Sequence, residues 1–180
     1  MPADGSIRFF AYGFEVPDVS EWTVSPNLAA SRTLLTSPNP DPNHDAPSAL
    51  AFTTLDDIPV IVGVGSFSAI YVWNALDCSL QSSIWLEQAH QMRLLAVDVA
   101  EIGGRPTVLC GGYTSSLAIW RPDTRSEHHL RVGSVLNQVR SLPGGRVAIS
   151  GIRGIMMVHL TAHLPGRRVP RQMPQSASPL

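Results

Sequence analysis

HQMRLLAVDVAEIGGRPTVLCGGYTSSLAIW, from His90 to Trp120, decides how the chain is read. Leu95, Val97 and Val99 alternate with Ala96 and Asp98, the two-residue period of a strand with one face buried. Gly103-Gly104 supplies a turn, and Thr107-Val108-Leu109-Cys110 is a β-branched, apolar run bounded by glycines, as expected of a strand covered on both faces. A second turn falls at Gly111-Gly112, after which Leu117, Ile119 and Trp120 close a third strand. Three runs of strand length joined by short turns make a meander rather than helices.

The pattern recurs outward from this stretch. VIVGVGSFSAIYVW (Val60 to Trp73), TVLCGGYTSSLAIW (Thr107 to Trp120) and RVAISGIRGIMMVH (Arg146 to His159) align without a gap over fourteen columns. The column of Trp73 and Trp120 holds His159 in the third copy, and Ile70, Leu117 and Met156 share the column three places earlier. A partial copy at residues 4–10 puts Phe10 in the tryptophan column. From Phe10 the spacings are 63, 47 and 39 residues, and the last two bracket the length of a four-stranded repeat. His44 precedes Trp73 by 29 residues and His90 precedes Trp120 by 30, each followed by an alternating strand. In the third copy Val135 to Ser141 takes that place, and Pro143-Gly144-Gly145 makes the hairpin turn.

These residues resemble the WD-repeat (WD40) β-propeller family, over about residues 44 to 160 plus the opening fragment. The resemblance implies that His44 and His90 open blades and that Trp73, Trp120 and, in the third copy, His159 are structural blade residues. In that family a buried Ser/Thr, His, Asp and Trp staple each blade by hydrogen bonds. Here the turn aspartate matches only at Asp4, its column holding Phe67, Thr114 and Arg153 elsewhere, and Trp-Asp becomes Trp73-Asn74 and Trp120-Arg121. The staple is thus incomplete in every full copy, and apolar packing is expected to carry these blades.

The expected fold is all-β, a partial β-propeller of about three four-stranded antiparallel blades, with copies near 44–86, 90–131 and 132–160 in a segment 1–163. The third copy lacks an outer strand. Residues 11–48 are rich in Pro, Ser and Asn, with Glu21-Trp22-Thr23-Val24 as an outer strand and Ser37 to Pro42 as a loop. Residues 164–180 carry Arg167, Arg168 and Arg171 among prolines, and a disordered tail is expected there. Closed propellers have typically 4 to 8 blades, so this chain reads as a piece of a larger propeller, as a half that pairs with another chain, or as a domain whose N-terminal blades carry no recognisable repeat.

Composition narrows the functional classes. With 44% apolar and 15% charged residues the chain is globular, and a formal net charge of −1 supplies no long-range field for nucleic acid or an anionic membrane. No signal peptide is expected at the N-terminus, and the longest apolar stretch, Pro59 to Trp73, is too short and too rich in Gly and Ser for a spanning helix. Cys78 and Cys110 read as reduced thiols, and the location as cytoplasmic. All thirteen basic residues are arginine, which excludes a P-loop lysine, a Schiff base and a lysine general base.

No constellation carries catalysis. His128-His129 and the pair His159 and His163 lack a carboxylate or cysteine at metal-ligand spacing, so no metal or other cofactor is expected. Gly63-Val64-Gly65 begins like a dinucleotide loop, but Ser68 stands at the third glycine and no helix follows. Asp56-Asp57 reads as a solvated turn, and Trp73, Trp120 and Trp85 as core. What remains is a face built from the turns before the third strands and the loops into the first strands. Phe67, Tyr113, Arg93 and Arg153 stand there, and aromatic and arginine side chains are the usual interface anchors.

The functional expectation is a non-catalytic protein-protein interaction scaffold, which the family resemblance places within a larger signalling or regulatory assembly. The alternatives are a propeller-type enzyme with a central metal or acid site, and a truncated remnant without independent function.

Overall fold

A computed structural model describes residues 7–12, 19–24, 30–35, 47–65, 68–86, 93–161 and 167–168, with side chains described over 47–65, 68–86 and 93–161. The strands among these residues form four antiparallel sheets. The first joins β1 (Ile7–Tyr12), β2 (Val19–Val24) and β3 (Ala30–Leu35) in that order. Glu21 to Val24 therefore lie in a strand, but in the middle one of this sheet rather than an outer one, and β3 is a further strand within the Pro-, Ser- and Asn-rich segment.

Blade I follows as β4 (Pro47–Leu55), β5 (Ile58–Gly65), β6 (Ala69–Asn74) and β7 (Leu80–Trp85). Blade II is β8 (Leu94–Glu101), β9 (Pro106–Gly112), β10 (Ser116–Arg121) and β11 (Ser126–Arg131). Blade III has three described strands, β12 (Leu136–Leu142), β13 (Arg146–Gly151) and β14 (Gly154–His159). The arrangement is a partial β-propeller, with β8 packed between β4 and β12.

Continuous apolar runs arise because both faces of a blade are covered. Val60, Val62, Val64, Ile70 and Val72 leave blade I to meet Val97, Val108, Cys110, Ala118 and Trp120 of blade II. On the opposite face of blade I, Ile61, Tyr71 and Trp73 are buried in a cluster with Cys78. Ala96, Leu109, Leu117 and Ile119 leave the far face of blade II to meet Leu136, Val139, Val147 and Ile149 of blade III. Each fully buried side chain of this size stabilises the fold by roughly 1.5–3 kcal/mol.

Trp73 and Trp120 lie in the core, as their columns predict. A Cβ on Gly63 would meet the Trp73 ring at 2.6 Å, so the indole packs on bare backbone. Trp120 Nε1 is buried with no hydrogen-bond partner, and Trp120 shares its cluster with Cys110, whose thiol pKa burial raises. Apolar contact has replaced the polar staple at this tryptophan.

One glycine column organises all three blades. Gly65, Gly112 and Gly151 each end the second strand, and the paired inner strand slips its register there, between Pro47 and Ala49, Leu94 and Ala96, and Leu136 and Gln138. A Cβ on Gly112 would sit 2.2 Å from the Arg93 carbonyl oxygen, and one on Gly151 would sit 2.2 Å from that of Val135. The glycine lets the two backbones close around the bulge.

Side chains on the inner strands tie each blade to the next. Ser48 Oγ donates to the Leu94 carbonyl across the junction of blades I and II and lies 3.1 Å from Val64 O. At the next junction Asp98 Oδ2 accepts from Ser141 N at 2.6 Å and lies 2.9 Å from Ser141 Oγ, which is also 3.1 Å from Val99 O. Asp98 Oδ1 accepts from Val99 N at 2.9 Å, so both carboxylate oxygens are engaged.

The structure corrects three expectations. In blades I and II the tryptophan faces the second column of the aligned copy, Trp73 opposite Ile61 and Trp120 opposite Val108. In blade III the residue opposite that position, Val147, is Val158, whereas His159 pairs with Arg146. The turn at Ile152-Arg153, between the paired Gly151 and Gly154, makes this hairpin one residue shorter. A one-residue slip turns every side chain to the other face. His159, though in β14, therefore does not take the tryptophan's place in the core; it is exposed, with Nε2 2.9 Å from the Gly144 carbonyl. Trp85, expected in the core, is 50% exposed at the end of the outer strand β7. In the tail, Arg167–Arg168 forms β15 and pairs with Ser126 and Glu127 of β11; the rest of the expected disorder lies outside the described residues.

Turn chemistry follows the sequence. Asp56 and Asp57 both take positive φ (50° and 62°) in the two-residue turn between β4 and β5. Among the described residues no helix is long and apolar enough to cross a membrane.

Two stability predictions follow from the glycine column and the inner-strand clamp. Gly112→Ala is expected to cost about 3 kcal/mol in urea unfolding because its Cβ meets backbone, against about 1 kcal/mol for Gly104→Ala, which has open space but a φ of 72°. Equal midpoints for the two variants would show that the bulge absorbs a side chain. Asp98→Ala and Ser141→Ala should each destabilise by about 1–3 kcal/mol and couple in a double-mutant cycle by about 1 kcal/mol. Additive losses would mean that the clamp does not bind blade II to blade III.

Candidate functional site

Among the described residues, those that lead into the inner strands and those at the ends of the hairpins between second and third strands fall on one rim of the arc. Local pairing fixes these segments to one another. Leu86 N donates to Ser68 O at 3.1 Å, and Tyr113 N donates to Arg93 O at 3.2 Å. Val132 N and Gly133 N both donate to Ser115 O, at 2.8 and 3.1 Å. Thr114 Oγ1 donates to Ser116 O at 3.0 Å and braces the β9–β10 turn from within.

On this belt Tyr113 is 57% exposed and Ile152 is 73% exposed, with Arg153 beside it in the shortened hairpin of blade III. The structure thus brings Arg93 and Tyr113 together through a backbone hydrogen bond and puts Arg153 on the same rim. Arg93 is half-buried, with its Nε inaccessible, so it supports the rim more than it projects from it. Phe67, His44 and His90 lie outside the described residues. Sequence reasoning chose Arg153 from its turn and passed over Ile152, whose exposure follows from the two-residue hairpin that the ungapped alignment concealed.

The described residues of the two rims differ in charge. The described residues of the belt include arginine but no acid. The opposite rim carries Asp56 and Asp57, Asp77, Glu101 and Asp123 in the turns that join first to second and third to fourth strands. There Asp123 pairs with Arg105 at 3.0 Å, both partly exposed, and such a pair contributes little to stability. The Ser79 hydroxyl and N–H hold the Asp77 carboxyl below its usual range.

A second polar cluster lies away from both rims, on β11. Glu127 Oε1 contacts His129 Nε2, so the pair expected to lack a carboxylate has one two residues away on the same strand face. Residues i and i+2 of a strand point the same way, a spacing that a search at helical or zinc-finger intervals passes over. His128 points to the other face, its Nε2 buried without a hydrogen bond; burial first and the Arg121 cation second lower its pKa. Among the described residues no group of three His, Cys, Asp or Glu side chains has the geometry to hold a metal ion.

No protein-family model matches the sequence, and neither does any curated protein. Solved structures do match. The WD40 β-propeller domain of Doa1 superposes with a TM-score of 0.54 at 11% identity, over 82% of this chain and 48% of that one. The structure of U3-55K gives 0.57 at 12% identity, over 89% of this chain and 50% of that one. The chain has the fold of a WD40-type β-propeller segment and spans about half the length of the structures it matches.

Proposed function

We propose that this chain is a non-catalytic protein-interaction scaffold, in a larger signalling or regulatory assembly, that docks a partner through the belt of Tyr113, Ile152 and Arg153. The observation that carries the reading is the exposure of these anchors together on one rim whose backbone is held by the propeller fold. An aromatic ring, a branched aliphatic side chain and a guanidinium supply the contacts that dominate interface energetics. The exposed Arg153 suits an acidic group on the partner surface, and rigid loops set its specificity. WD40-type neighbours support a protein-binding role in general. A cytoplasmic location agrees with two buried cysteines that form no disulfide with each other.

The test is quantitative affinity capture from matched cell extracts, comparing the native chain with Tyr113→Ala/Ile152→Ser/Arg153→Ala and with Arg105→Ala/Asp123→Ala on the opposite rim. The first variant should lose its specific partners by at least about tenfold, the scale of one 1.4 kcal/mol anchor, while the second retains them. Equal melting temperatures establish that both variants are folded. Retention by the belt variant, or loss only in the opposite-rim variant, would overturn the proposal.

A further inference from the structure

The outer strand of blade II carries an acid where its neighbours on the same face are apolar. Glu127 stands opposite Trp120 in the β10–β11 register, and both are buried on the side where Val108, Cys110 and Ala118 meet blade I. Its charge is felt in that core: burial first and the Glu127 carboxylate second push up the Cys110 thiol. A buried carboxylate is costly unless a cation stands beside it. Glu127 touches His129, but an imidazole carries at best part of a charge at neutral pH.

A strand of the tail brings arginine to this position. β15 pairs antiparallel with the outer edge of β11, and the register sets Arg167 opposite Glu127 and Arg168 opposite Ser126. Directly opposed residues of such a pair have Cβ atoms ~4.5–5.5 Å apart, within ion-pair reach of a guanidinium. Residues 160–180 hold three arginines and no acid, so the charge complementarity to Glu127 is one-sided. The sequence also keeps this pairing short. Pro165 and Pro170 stand two residues outside Arg167 and Arg168, and proline has no N–H to give to a strand ladder. β15 covers two residues of a six-residue strand.

We infer that the outer edge of β11 is a strand-addition site for an extended peptide that sets an arginine opposite Glu127, and that the tail strand is a short resident occupant which such a peptide displaces. Main-chain hydrogen bonds along the edge supply affinity, and the buried carboxylate selects the arginine. A partner segment free of proline pairs with more of β11 than β15 does, which offsets the advantage of the tail's tether. The site shares no residue with the belt of Tyr113, Ile152 and Arg153, so either reading stands if the other fails.

The test uses the full chain and a fluorescent ten-residue peptide with the sequence of residues 163–172 carrying Pro165→Thr and Pro170→Thr. By fluorescence anisotropy the peptide should bind the native chain, and bind the chain variant Arg167→Gln/Arg168→Gln at least about tenfold more tightly, because its tail competes less. Placing Arg167→Gln and Arg168→Gln in the peptide instead should weaken binding to the native chain at least about tenfold, as should Glu127→Gln in the chain. The peptide change leaves the protein intact, so the arginine requirement is read whether or not Glu127→Gln is stable. Occupancy by the tail is read from Ser126→Cys/Arg168→Cys, since Cys78 and Cys110 are buried. This pair should close an intramolecular disulfide under mild oxidation, more slowly as peptide is added. Absence of binding, binding indifferent to Glu127 or to the peptide's arginines, equal affinity for the native chain and the tail variant, or a tail disulfide that the peptide does not slow would each overturn the inference.

Discussion

The glycine that ends the second strand of blades II and III lies so close to the preceding inner strand that no side chain fits between them, and the inner strand slips its register at this column in all three blades. At Gly112 the obstruction is the Arg93 carbonyl, and at Gly151 that of Val135. The inner strand bulges at this point, which decides which of its later residues turn toward the next blade. In blade II, Ala96, Asp98 and Ala100 are placed toward blade III and Val97 and Val99 toward blade I. The apolar interblade cores and the Asp98–Ser141 clamp depend on this phase, since a strand displaced by one residue would present the wrong set.

The fold was legible because its period is carried by residues that pack on both faces. Val60 to Trp73 and Thr107 to Trp120 announce second and third strands through β-branched runs, glycines and a tryptophan, and the structure forms them there. Blade III exposed the limit of such reading. An ungapped alignment assumes that every hairpin has the same length, and only cross-strand pairing reveals that Ile152-Arg153 closes a shorter one. His159 was consequently assigned the place that Val158 fills. Trp85 was assigned to the core by residue type, yet an outer strand at the rim offers a ring little to pack against.

The candidate belt was partly legible for a related reason. Turn positions follow from strand positions, so the rim of Arg93, Tyr113 and Arg153 could be named in advance. Their degree of exposure could not, because it depends on which atoms the neighbouring blade covers. Arg93 and Tyr113 are adjacent through their backbones but differ in burial, and Ile152, apolar and inconspicuous in sequence, projects further than either. The contact between Glu127 and His129 escaped notice because its spacing has meaning only once β11 is known to be a strand.

The faces along the arc change in a consistent direction. Toward the next blade, the second strands run from three valines in blade I, through Thr107, Leu109 and Gly111 in blade II, to Arg146, Ala148 and Ser150 in blade III. An apolar face there would be the largest hydrophobic surface on the described arc, and soluble proteins avoid such patches. Polar substitution removes the drive to stack a further blade on these inner strands while leaving the outermost strand apolar.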